Sequence, residues 1–107
     1  MAKKVGYTLI YASNASDQFA SIDRKFHRLI EKVILEQLTY TPLAETRNRK
    51  MLEQPAPFGA AWELRCGPGN RFRVFYRVDE EQKAVRILAI GVKNRDRLLF
   101  GDEEYEP

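Results

Sequence analysis

The chain has 107 residues, 44% of them apolar and 31% charged, with a formal charge of +3. That length accommodates one domain with one core, predicted over residues 1–107, and the composition excludes a disordered chain. No stretch approaches the ~20 consecutive apolar residues of a membrane span.

Val5 to Tyr11 (VGYTLIY) predicts a first strand, because it is rich in β-branched and aromatic residues. Asn14, Ser16 and Asp17 offer helix caps. Phe19, Ile22, Phe26, Leu29, Ile30, Val33, Ile34 and Leu38 then follow at three- and four-residue spacing, one apolar stripe on a helix ending before Pro42. A break near Ser21 would turn this helix into a helical hairpin, and both forms fit the pattern. Thr41 to Ala60 reads as a connector, with Pro42, Pro55, Pro57, Gly59 and a basic cluster at Arg47, Arg49 and Lys50.

Ala61 to Cys66 predicts a strand whose core face is Trp62, Leu64 and Cys66. The turn Gly67-Pro68-Gly69-Asn70 leads into Arg71 to Val78, where Phe72, Val74, Tyr76 and Val78 point one way and Arg71, Arg73, Phe75 and Arg77 the other. Asp79 to Lys83 form the next turn. Ala84 to Lys93 is apolar on both faces, as a central strand should be. Arg95 to Phe100 has room for a helical turn before an acidic tail at residues 101–107. The order β-α-β-β-β predicts an α+β fold: a strand, a helix or helical hairpin, then a three-stranded antiparallel meander with the helix packed on one face.

Partners across a hairpin share a face, so Trp62, Leu64 and Cys66 must lie beside Phe72, Val74 and Tyr76. Two registers satisfy this parity, with Arg65 opposite either Arg71 or Arg73. Each sets two guanidinium groups directly across from one another, where like charges destabilise a sheet. Glu63 would oppose Arg73 in the first register and offset part of the repulsion; in the second it would oppose Phe75 and offset less. An anion such as a phosphate would relieve the crowding, since the arginine fork donates two hydrogen bonds to phosphate oxygens. Solvated heads on stems that cover apolar surface would produce the same sequence pattern.

The remaining chemistry is sparse. Cys66 is the only cysteine, so a reducing compartment is expected, and Met1 to Lys4 do not begin a signal peptide; the expectation is a cytoplasmic protein. Cys66 beside Trp62 reads as core, without a histidine partner nearby in sequence. No Cys/His grouping has metal-ligand spacing, so neither metal nor cofactor is expected. His27, the only histidine, sits at the margin of the helix stripe. Glu63 lies on the arginine face as a candidate base or, more simply, as a charge-balancing neighbour.

Leu64-Arg65, then Phe72-Arg73-Val74-Phe75-Tyr76, then Ile87-Leu88-Ala89-Ile90-Gly91-Val92-Lys93 followed by Arg95 resemble the RelE/ParE superfamily of type II toxin–antitoxin toxins. The resemblance covers most of the chain. It implies a compact α+β fold and a cognate antitoxin as partner. RelE-like members cut messenger RNA on the ribosome without metal, whereas ParE-like members inhibit DNA gyrase. The leading expectation from the resemblance is a toxin that inhibits translation by cutting messenger RNA: Arg65 and Arg73, the catalytic pair, match the arginines that hold the scissile phosphate, and Arg71, Lys93, Arg95 and Arg97 would bind RNA, with messenger RNA and the ribosome as partners. The chain departs from that pattern in two places. Ala61 and Glu63 stand where the ribonucleases carry lysines, and Phe100 stands where their C-terminal tyrosine would fall. Tyr105 could replace that tyrosine only if the tail folds back. A toxin that acts by binding alone, or an RNA-binding sheet unrelated to toxins, fits the same residues.

Overall fold

The apolar run predicted as a central strand organises the whole fold. In a computed structural model describing residues 5–106, that run is Ala84–Asn94, and three other strands pair with it. The strands are β1 (Thr8–Tyr11), β2 (Arg49–Met51), β3 (Trp62–Cys66), β4 (Phe72–Asp79), β5 (Ala84–Asn94), β6 (Arg97–Phe100) and β7 (Glu103–Glu104). They form one sheet in the order β2-β3-β4-β5-β6-β7, with β1 beside the first half of β5. Residues 1–4 and 107 of the predicted domain lie outside the described residues. Among the described residues, no helix is long and apolar enough to cross a membrane.

The α+β class and the β3-β4-β5 meander match expectation, and several details are corrected. The first strand is shorter than Val5 to Tyr11 and runs parallel to β5, Thr8 against Ala84 and Tyr11 against Ile87. The helix does break near Ser21, giving α1 (Ser13–Ser21), a 3-10 turn at Arg24–Phe26 and α2 (His27–Leu38). Ile22 adopts an extended conformation between them, and the Asp23 side chain accepts from the Lys25 amide at 3.1 Å to start the next turn. Asn14, Ser16 and Asp17 lie within α1 and do not cap it; Ala12 holds the N-cap position without a side-chain bond.

The connector hides a strand. Arg49 to Met51 pair antiparallel with Leu64 to Trp62, a segment too short and too charged for its alternation to be read. Arg49 is buried on the helix side, where its Nη1 donates to the carbonyl of Gln37 at 2.7 Å and to that of Thr41. A cation is favoured there, since these carbonyls close the C-terminal end of α2. The predicted helical turn at Arg95 to Phe100 is instead strand β6, and part of the acidic tail pairs with it as β7.

Both faces of the sheet are covered, unequally. The main core places Ile30, Ile34 and Leu38 of α2 and Ala15 of α1 against Leu64, Val74, Tyr76 and Ile87. A smaller cluster on the opposite face joins Ala60, Phe75, Ala89 and Phe100. The split arises at a bulge: Phe75 faces Ala89 but Tyr76 faces Ile87, so Leu88 is the extra residue. One inserted residue reverses the parity of everything beyond it. Ile87 and Ile90 therefore share the helix face, whereas the alternation in sequence would separate them.

Burial of Tyr76 raises its phenol from the ordinary 10.0 to about 12, with Arg49 acting in the opposite direction; its hydroxyl donates to the Pro42 carbonyl at 2.8 Å. Burial likewise raises the Cys66 thiol from 9.0 to about 11. Both folded-state values exceed the unfolded ones, so unfolding releases these protons over that interval. Their stabilising contribution is complete below pH 9 and is lost between pH 9 and 12. Urea midpoints across this range should fall less steeply for Tyr76→Phe than for the native chain.

Candidate anion site on the open face

Alternation along β3 and β4 carries the candidate residues to the face away from the helices. The structure selects the second register, Arg65 opposite Arg73 and Glu63 opposite Phe75. The turn before β4 fixes it. Gly67 has φ +83, and a Cβ there would stand 2.4 Å from the Phe72 ring, so this turn requires glycine.

The expectation that Glu63 offsets less repulsion in this register is overturned. Glu63 Oε1 accepts from Arg65 Nε at 2.9 Å and lies 3.6 Å from Arg73 Nη1, reaching diagonally between the two guanidinium groups. Glu63 is only 7% exposed. Its carboxylate already occupies the space between the guanidinium groups that a bound phosphate oxygen would take. Arg73 Nε donates to the Asn70 carbonyl at 2.9 Å, which fixes the guanidinium against the turn. Burial lowers the Arg73 pKa from its ordinary value; Glu63 opposes that shift and Arg65 adds to it.

The other predicted residues do not converge on this pair. Arg71, expected on the arginine face, lies in the turn with helical φ and ψ, and its guanidinium sits over the rings of Phe26 and Phe72. Arg97 Nε donates to Glu104 at 3.2 Å in an exposed pair. Arg95 occupies the β5–β6 turn at φ 57 and is exposed. By alternation Lys93 does share the face of Arg73, two residues beyond Gly91. Sequence reasoning missed Lys50, which β2 sets directly opposite Glu63 at the margin of the cluster. Its signal was the alternation of buried Arg49 with exposed Lys50, legible only once the strand is known.

At the position where the resemblance places a tyrosine, apolar packing stands instead. Phe100 packs on Phe58, Phe75 and Tyr105, with ring centroids 5.0, 5.6 and 6.0 Å away. Gly91, the partner of Arg73, makes room for it, since a Cβ there would come within 2.9 Å of the Phe100 ring. The tail does fold back: the Tyr105 amide donates to the Leu98 carbonyl at 2.8 Å and its ring stands edge-on to Phe100. His27 is far from this chemistry in role, its Nε2 donating to the Ile22 carbonyl at 2.7 Å and its ring resting on Phe19. Among the described residues, no group of His, Cys, Asp and Glu is arranged to hold a metal.

Solved structures share this fold. RelBE2, the toxin–antitoxin complex of Mycobacterium tuberculosis, contains a chain with TM-score 0.67 and 22% identity, covering 83% of this chain and 100% of that one. The isolated RelE toxin of E. coli gives 0.59 at 15% identity, with 84% and 87% covered. The archaeal RelE–RelB complex of Pyrococcus horikoshii OT3 gives 0.58 at 23% identity, with 83% and 97% covered. At such identities the likeness is one of fold. No curated protein matches the sequence. The family model for the ParE toxin of type II toxin–antitoxin systems (parDE) matches residues 8–97. By that match, which spans most of the sheet and both helices, the chain belongs to the ParE toxin family of type II toxin–antitoxin systems.

Proposed function

We propose that this toxin arrests growth by binding its target, DNA gyrase, and that it does not cut RNA. The observation carrying this reading is Glu63 seated between Arg65 and Arg73. Metal-independent RNA cleavage needs cations free to stabilise a phosphorane-like transition state, together with a base and an acid. Here the two best-placed cations share an internal carboxylate, and the ring of Phe100 is packed away. Family membership favours gyrase, the target that the resemblance assigns to ParE-like toxins.

A cognate antitoxin restrains the toxin in the cytoplasm. Two of the similar structures are toxin–antitoxin complexes, and an apolar groove lined by Leu9, Tyr11, Phe19 and Leu35 lies open between β1 and the helices. Induced expression alongside an SOS reporter, with and without the neighbouring gene, tests the proposal. Growth arrest with SOS induction, relieved by the neighbour, is expected. Arrest without SOS induction, accompanied by cut transcripts that Arg73→Ala leaves whole, would replace gyrase with the ribosome and restore a phosphate-holding role to Arg65 and Arg73.

A further inference from the structure

We propose that Arg77 and Arg86 form a second anion site on the open face, and that it takes the phosphate backbone of a nucleic acid. The site is separate from the Glu63 cluster and goes beyond the gyrase reading. It exists because of the bulge. Without Leu88 as the extra residue, continuation of the earlier register would place Ile87 opposite Arg77; with it, Arg86 comes directly opposite. Bulges re-aim side chains in this way. The result is a second like-charged cross-strand pair, and both members are exposed.

This pair differs from the first in one decisive respect. Arg65 and Arg73 have Glu63, whereas no carboxylate lies within 4.0 Å of Arg77 or Arg86 among the described residues. Asp79, two residues further along β4, accepts instead from the Gln82 amide at 3.1 Å. Arg77 Nη1 donates to the Gly59 carbonyl at 2.8 Å, so its head is anchored and less conformational freedom is lost on binding. Exposed apolar groups flank the pair. Ile10 stands opposite Arg86 on β1, and half-exposed Phe58 adjoins Gly59 at φ 56. A bulky residue at positive φ is strained, and such strain persists where the surroundings enforce it.

Two guanidinium groups flanked by apolar surface suit a phosphate chain with its sugars and bases. The chain-like nature of the ligand follows from spacing. Lys50 lies in the cross-strand row of Phe75, two residues before Arg77 on β4, and two strands away, about 10 Å across the sheet. A continuous polyanion can meet Arg77 and Arg86 and extend towards Lys50 and Lys93, which a single acidic side chain cannot.

The test is fluorescence anisotropy of a labelled short DNA duplex and of the matching single strand, titrated with the purified chain over a range of salt. Arg77→Ala with Arg86→Ala should weaken binding at every salt, and the log–log salt slope for duplex should shrink by about 2, one unit for each phosphate no longer neutralised. Arg86→Glu pairs Arg77 internally and should weaken binding similarly while preserving the fold, monitored by thermal unfolding. Arg77→Lys with Arg86→Lys should retain most of the slope. Absence of binding by the native chain at low salt, or a slope unchanged in both the double alanine variant and Arg86→Glu, would overturn the proposal. So would Arg77-dependent binding of polyglutamate without binding of either oligonucleotide, which would assign the pair to an acidic protein.

Discussion

Glu63→Ala is expected to lower stability and raise anion affinity at once. The carboxylate is nearly buried and meets Arg65 at 2.9 Å and Arg73 at 3.6 Å. Its loss leaves two guanidinium groups facing each other across β3 and β4 with nothing between them. Removing one member of a buried pair typically costs about 3–5 kcal/mol. The Arg73 side chain is 14% exposed and feels nearly the full penalty, whereas that of Arg65 is 33% exposed and water compensates it in part. The expected loss is therefore about 2–3 kcal/mol, read as a lower urea midpoint at unchanged m-value. The vacated space then accepts an external anion. Added phosphate should raise the melting temperature of Glu63→Ala more than that of the native chain, because a ligand bound only by the folded state stabilises it. Equal phosphate responses would mean that Glu63 does not occupy an anion site.

Phe100→Ala should cost somewhat more stability than Glu63→Ala. The ring is 7% exposed and packs on three aromatic neighbours on the face opposite the helices. Truncating a buried phenylalanine costs about 3–5 kcal/mol, with the low end expected here because the cluster is small and near the surface. The tail should loosen with it, since Tyr105 rests on that ring; hydrogen exchange at the Tyr105 amide, which is bonded to Leu98, would report this locally. Phe100→Tyr is the informative companion. It places the tyrosine of the ribonuclease pattern back at its position, yet transcripts should stay intact because Glu63 still holds Arg65 and Arg73. Cleavage appearing in Phe100→Tyr would show instead that only the hydroxyl was missing.

Much of the scaffold is legible in the sequence because alternation and helical spacing are strong over long runs. The stripe from Phe19 to Leu38 locates both helices, and the parity of Trp62, Leu64 and Cys66 with Phe72, Val74 and Tyr76 reduces β3–β4 to two registers. What escapes is short, or depends on neighbours distant in sequence. Strand β2 has three residues and β7 two, too few for a period to show. The bulge at Leu88 leaves no trace in a run that is apolar on both faces, yet it decides where Arg86 points. Arg49 reads as part of a solvated basic cluster; only the end of α2, packed beside it, makes it a buried structural cation. Alternation puts Glu63 on the correct face, but its diagonal reach to both arginines depends on side-chain length, which strand pairing does not encode.

On the proposed reading this toxin acts by binding, and its arginine face does not cut RNA. The most direct measurement is the integrity of a defined transcript on translating ribosomes, mapped by primer extension after addition of the purified chain. Full-length transcript is expected at toxin concentrations that arrest growth, for the native chain and for Arg73→Ala alike. Discrete ribosome-dependent cuts that vanish in Arg73→Ala would contradict that reading.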